Sequence, residues 1–170
     1  MLIEIDRLTK EGLTVSKDFE FLSVDLVEEN AVFLQPTHAD IVIRKEGDEV
    51  LIKGRITANL SFVCSRCLTP FEFPVDSVFD LVLLPEDLDE ARDELDENDV
   101  DKSFYYEGSI DLAEVVLEQL NLTFPVKPLC SPDCEGLCAV CGRLLQGGQC
   151  GCTVKEPDPR LGRLKTLVKR

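Results

Sequence analysis

The chain has 170 residues and a formal net charge of −15, from 33 acidic and 18 basic side chains. That length suits one domain of ordinary size with a small appendage, and a hydrophobic content of 44% excludes global disorder. No apolar run approaches the ~20 residues that span a bilayer, and a uniformly acidic surface repels phosphate, so any nucleic-acid contact requires a local basic patch or a protein intermediary.

Taken in chain order, residues 1–8 alternate Leu2, Ile3, Ile5 and Leu8 with charged side chains and read as a strand or edge strand. The same opening has no long apolar core and no small-residue cleavage site, so it does not read as a signal peptide. Two β-like runs follow at 13–15 and 19–26. Val32, Phe33 and Leu34 form another, which Pro36 ends. The clearest hairpin pairs 40–45 with 49–62 across Glu46-Gly47-Asp48, where the glycine is free to take positive φ. On its second strand Val50, Ile52, Gly54, Ile56, Ala58, Leu60 and Phe62 share one face; Lys53, Arg55, Thr57 and Asn59 share the other. Residues 71–84, with Phe71, Phe73, Val75, Phe79, Leu81 and Leu83, read as the next antiparallel strand, closed by Pro85.

Residues 86–101 carry ten carboxylates against a single arginine, Arg92. Such a run reads as a solvated acidic loop, with contact to a basic partner as its functional alternative. A divalent-cation site is a third option, weakened by the lack of a calcium-loop glycine. A helix is expected over 111–122, with Asp111 as N-cap, Glu114 completing a capping box, and Ile110 and Val115 as a hydrophobic staple. Its apolar stripe is Leu112, Val115, Val116, Leu120 and Leu122, and Pro125 stops it. The fold class is therefore α+β. An antiparallel β-rich domain with one packed helix (1–129) is followed by a cysteine-rich, zinc-held module (130–152) and a basic tail (153–170).

Six of the eight cysteines crowd into that module: Cys130, Cys134, Cys138, Cys141, Cys150 and Cys152; Cys64 and Cys67 form a Cys-Ser-Arg-Cys pair upstream. A Cys-x-x-Cys turn aims two thiolates at one point, and a second pair completes a closed tetrahedral zinc site. Eight thiols thus suffice for two zinc ions. Cys138 and Cys141 with Cys150 and Cys152 would make one site; Cys64 and Cys67 with Cys130 and Cys134 would make the other and tie the middle of the chain to the module. Other partitions of the eight remain open at this stage. A disulfide framework is the bland alternative, but without secretion thiols stay reduced and spaced cysteines favour metal. A redox dithiol is expected at a helix start, whereas Cys64 and Cys67 end an apolar strand and precede Pro70.

The tail has six basic residues (Lys155, Arg160, Arg163, Lys165, Lys169, Arg170) and two acidic ones (Glu156, Asp158), against the overall charge. Leu161, Leu164, Leu167 and Val168 recur at helical spacing after Asp158-Pro159. The tail reads either as a docking helix or as a partner-binding peptide. There is no phosphate-binding glycine motif and no nucleophile elbow, and the lone histidine, His38, reads as solvent-facing. Four-cysteine sites are closed, so they hold structure rather than activate water.

Several segments, in order, resemble one family: residues 62–71 around Cys64 and Cys67, residues 108–112 with the helix behind them, Pro125 to Cys130, Cys134 to Gly142, and Asp158-Pro159-Arg160-Leu161 with Leu164 and Leu167. The chain resembles the YceD-like proteins, the large ribosomal RNA subunit accumulation proteins, in a cysteine-rich version. The resemblance implies a cytoplasmic, non-enzymatic ribosome-biogenesis factor supporting accumulation of large-subunit (23S) rRNA. Its partners would be the large-subunit precursor, rRNA or a basic ribosomal protein, with no membrane and no small-molecule substrate. On that reading Arg160, Arg163, Lys165, Lys169 and Arg170 are candidates for contact, and Arg66, between two ligands, is a secondary one. Rival readings are a metal-handling or thiol-redox protein, a zinc-ribbon nucleic-acid-binding regulator, and an enzyme acting on rRNA or a ribosomal protein.

Overall fold

Long period-two alternation of β-branched and aromatic residues builds the centre of the molecule. The computed structural model describes residues 1–8, 11–26, 31–85, 102–148 and 150–152. The acidic run 86–101 and the tail 153–170, with Arg160, Arg163, Lys165, Lys169 and Arg170, lie outside the described residues. The strands are β1 (Leu2–Glu4), β2 (Leu13–Phe19), β3 (Val32–Phe33), β4 (Thr37–Glu46), β5 (Glu49–Val63), β6 (Pro70–Pro85), β7 (Lys102–Tyr105) and β8 (Ser109–Asp111), followed by the helix α1 (Leu112–Leu122). One sheet runs in the order β2-β4-β5-β6-β7, with β3 also paired to β5; β1 and β8 form a separate two-stranded ribbon.

The expected hairpin is β4–β5, joined through Gly47 and Asp48 with Glu46 opposite Glu49. β4 begins three residues earlier than read from sequence, because Thr37 and Ala39 are buried and continue the alternation. Val50, Ile52, Ile56, Leu60 and Phe62 of β5 are fully enclosed, as the alternation required. β6 pairs antiparallel with β5 without interruption from Val63–Pro70 to Val50–Leu83. On the exposed face Lys53 bonds Asp80 and Arg55 bonds Asp76 across these strands. Solvent screens such pairs, so they set register more than they stabilise.

Four readings need correction. Residues 1–8 hold only a three-residue strand, after which Ile5–Arg7 forms a 3₁₀ turn that buries Ile5. The run 19–26 is not a strand: β2 stops at Phe19, and Ser23–Asp25 is another 3₁₀ turn, closed by the Asp25 carboxylate accepting from the Leu22 N–H at 3.0 Å. The sheet is not wholly antiparallel, because β7 lies parallel to β6, Val82 opposite Lys102. Leu122 is 72% exposed rather than part of the helix stripe; the buried face is Leu112, Val116 and Leu120, spaced by four, and Leu122 is turned about 200° from Leu120.

Asp111 caps α1 as expected, its carboxylate accepting from the Ala113 N–H at 2.9 Å. The N-terminal amine lies 2.6 Å from the same carboxylate and, ahead of the backbone donors, holds it below its ordinary pKa. Phe62 joins the layers next to the cysteine corner. Its ring meets Phe73 at 4.9 Å and Phe124 at 5.1 Å, both edge-on, and Phe71 at 6.4 Å. Phe124 follows the helix, so one buried side chain connects β5, β6 and the exit of α1 two residues before Cys64.

Candidate metal centre

The cysteine pairs stand on two turns with the same backbone. In the first, the Cys64 N–H donates to the Thr69 carbonyl at 3.0 Å and the Leu68 N–H to the Cys64 carbonyl at 2.9 Å. In the second, the Cys138 N–H donates to the Arg143 carbonyl and the Gly142 N–H to the Cys138 carbonyl, both at 2.8 Å. The residue after the second cysteine is left-handed in both: Leu68 at φ 59 and Gly142 at φ 70. Closing both bonds demands that conformation, which glycine takes freely and leucine resists. The strand pair β5–β6 supplies the base of the first turn. The second stands on its own small loop, with Leu137 bridged to Leu144 and the Leu145 N–H donating to the Gly136 carbonyl.

The chain folds so that eight sulfurs gather in two groups of four. Cys64, Cys67, Cys130 and Cys134 form one, and Cys138, Cys141, Cys150 and Cys152 the other; within each, the Sγ atoms lie within 4.8 Å of one another. This is the partition the spacing suggested. All eight are free thiols. Sulfurs of a tetrahedral thiolate site at about 2.3 Å from the ion stand about 3.8 Å apart. Cys64 and Cys134 are 3.8 Å apart, and Cys67 and Cys130 are 3.7 Å apart. Each group could therefore hold a metal ion with little movement.

The electrostatics point the same way. Burial pushes the Cys64 thiol up, but N–H donors of Cys130, Cys67 and Arg66 outweigh it and bring it down to about 6. Thr69 lowers Cys67 through its hydroxyl and its N–H. Cys134 is pushed up to about 12 by burial, with Cys130, Cys67 and Cys64 beside it adding to the push against one Gly136 donor. In the other group the N–H donors of Cys141 and Val140 pull Cys138 down to about 6, while Cys141 and Cys150 push Cys152 up to about 12. Hydrogen-bond donors thus prepare Cys64 and Cys67 in one group and Cys138 in the other, and burial and crowding oppose Cys134 and Cys152. A dication at the centre would remove that opposition and let all four ionise.

The groups differ in exposure. Cys64, Cys67 and Cys134 are buried against Phe71 and Leu129, whereas Cys141 is exposed and its partners are half-buried. The inner group also has a side-chain donor that the sequence did not advertise. Gln146 directs its amide nitrogen at Cys130 Sγ, 3.3 Å away, and at Cys134 Sγ, 3.5 Å away. Nothing in the spacing signals this residue, because it lies in the loop between the two halves of the outer group.

Arg66 is exposed, and its guanidinium is engaged. Nη1 donates to the Cys134 carbonyl at 2.9 Å and the Pro132 carbonyl at 3.2 Å. The Ser65 N–H reaches the Pro128 carbonyl at 2.9 Å. Gly136 packs so closely on Arg66 that a Cβ there would stand 3.0 Å from its carbonyl oxygen. The corner is therefore bonded to the module through the Arg66 side chain and to the approach to the module through the Ser65 N–H. His38 lies far from these cysteines in sequence, on the exposed face of β4 between Asp18 and Asp40; the Asp18 hydrogen bond, opposed by some desolvation, raises its pKa.

Comparison with known proteins places this arrangement. A family model described as "Large ribosomal RNA subunit accumulation protein YceD" matches residues 52–168, from within β5 through both sulfur groups into the tail. The chain belongs to the YceD family. Uncharacterized proteins of Mycobacterium bovis and Mycobacterium tuberculosis are each 32% identical to it over 130 residues, covering 76% of this chain and 60% of theirs. An uncharacterized protein of Mycobacterium leprae is 30% identical over 111 residues, covering 65% of this chain and 49% of its own. The chain thus spans about three fifths or less of the length of these relatives. No solved structure matches. Among the described residues, no helix is long and apolar enough to cross a membrane.

Proposed function

We propose that this YceD-family chain is a cytoplasmic, non-enzymatic ribosome-biogenesis factor that supports accumulation of large-subunit (23S) rRNA, with two structural zinc ions holding its C-terminal module. The observation that carries this reading is the family match over 52–168, which takes in the cysteine corner, the module and the basic tail together. Zinc is the ion of choice because all-thiolate tetrahedra suit a borderline-soft d¹⁰ cation.

On this reading Cys64, Cys67, Cys130 and Cys134 hold the inner ion, and Cys138, Cys141, Cys150 and Cys152 the outer one. The inner ion closes a loop of about 70 residues, from Cys64 to Cys134. A cross-link of that span removes about 4 kcal/mol of denatured-state entropy. The ions leave no open coordination position, so their work is to hold the module from which the tail extends. Arg160, Arg163, Lys165, Lys169 and Arg170 then contact rRNA or a ribosomal protein, and Arg66 serves first as a brace. The molecule's acidity makes this tail its natural region for phosphate contact.

Sedimentation of tagged protein through gradients of gently lysed cells, at low and moderate salt with RNA probed in each fraction, tests the reading. Co-migration with large-subunit precursors, weakened by salt, is expected, and so is loss of co-migration when the five tail bases are changed to glutamine. Sedimentation as free protein at both salts rejects it.

A further inference from the structure

β6 is sixteen residues long, but β7 covers only its last four, Val82 to Pro85. Among the described residues nothing pairs with its outer edge from Pro70 to Leu81. The direction of its backbone groups follows from one residue. Pro74 sits opposite Asn59 in an unbroken antiparallel ladder. A proline has no N–H to donate, so it must occupy a non-hydrogen-bonded pair with both its nitrogen and its carbonyl turned outward. Strict alternation then turns the N–H and C=O of Glu72, Asp76, Val78 and Asp80 outward as well. An edge of this length with free donors and acceptors is a template for another strand.

α1 packs on β6, and two cavities open beside that contact. Phe73, Val75, Ser77, Gln119 and Leu122 line one of about 390 Å³; Leu81, Tyr105, Glu107, Glu114, Val115 and Glu118, where β7 and β8 meet the helix, line one of about 480 Å³. Among the described residues, no lysine or arginine lines either cavity. Glu114 and Glu118 lie one turn apart on the same helix, a like-charge pair that weakens it until a cation intervenes. Asp76 and Asp80 already have Arg55 and Lys53, so among the described residues the cavity carboxylates without an ion-pair partner are Glu107, Glu114 and Glu118. In sequence, the acidic run 86–101 links the end of β6 to the start of β7.

We propose that the groove between β6 and α1 is a docking site for an extended, lysine- and arginine-bearing protein segment. The segment adds as a strand to the outer edge of β6 and turns a basic side chain toward Glu114 and Glu118. Backbone bonds give the segment its register and the carboxylates select its charge. Nucleic acid is disfavoured here by the same charges. The inference deepens the ribosome-assembly reading by giving the basic protein partner a site apart from the tail.

The test uses the full-length chain and a labelled ten-residue peptide of alternating lysine and valine, with two controls: its glutamate counterpart and a version N-methylated on alternate backbone nitrogens. The lysine peptide is expected to bind, more weakly at high salt, and to slow hydrogen exchange at the amides of Asp76, Val78 and Asp80 while leaving the inward-facing Val75, Ser77 and Phe79 unchanged. Both controls should fail, and the double substitution Glu114→Gln, Glu118→Gln should weaken binding about tenfold or more. Binding that survives this substitution, or that protects no edge amide, overturns the proposal. Edge amides already protected in the free chain also overturn it, because the chain itself then fills the groove; so does complete displacement by millimolar magnesium, which indicates a cation site. Peptide binding without ribosomal co-sedimentation would reject the assembly reading alone, and the reverse result would reject the groove alone.

Discussion

Leu68 and Gly142 occupy the same position in two turns of the same shape, and only one of them suits it. A leucine at φ 59 carries about 1–2 kcal/mol of left-handed strain, and at 63% exposure Leu68 gains little from burial in return. Replacing it with glycine removes that strain but restores about 0.5–1 kcal/mol of unfolded-state entropy. Leu68→Gly should therefore leave the inner site as stable as before or slightly more so. Gly142→Leu introduces the strain where no neighbouring atom crowds the added carbon. It should speed metal loss from the outer site on the order of tenfold. Zinc release to a chelator, followed for each variant, checks both; an equal effect of the two substitutions would contradict the shared-turn account.

The two sulfur groups differ as elements because they rest on different foundations. The inner one is built on the longest strand pair of the sheet, backed by Phe62 and Phe71, covered by Leu129 and bonded by Gln146. The outer one stands on a short loop with an exposed ligand. The zinc-loaded protein should lose its metal to a chelator in two phases of one ion each. Cys138→Ser should abolish the fast phase and Cys64→Ser the slow one. Metal content and release kinetics of the three proteins decide this; a single phase carrying both ions would show that the groups do not act separately. The sequence made the partition readable because each Cys-x-x-Cys turn has a nearby mate. It left the difference in burial hidden, since burial depends on Leu129 and Phe71 reaching the same sulfurs from distant parts of the chain.

For the whole molecule, the alternation along β4, β5 and β6 announced the sheet, and Asp111 announced the start of the helix. The parallel placement of β7 was not legible. Parallel neighbours need a crossover, and in the intervening residues 86–101 the few apolar side chains at helical spacing, Leu88, Ala91 and Leu95, are outnumbered by ten carboxylates. The 3₁₀ turns at Ile5–Arg7 and Ser23–Asp25 were likewise hidden, because three-residue elements leave no period to detect. Arg66 was read as a contact residue from its place between two ligands; its bonds to Pro132 and Cys134 appear only when the module folds back on the corner. The chain is acidic overall while its last eighteen residues carry six basic side chains against two acidic ones, and the proposed function assigns a basic protein to the first and a phosphate backbone to the second.

The most direct measurement of the central claim is the ratio of large- to small-subunit rRNA in cells depleted of this protein and supplied with either the wild-type chain or the Cys64→Ser, Cys67→Ser variant. The account predicts that depletion lowers the ratio, that the wild-type chain restores it, and that the variant, matched for abundance, does not. An unchanged ratio on depletion would contradict it.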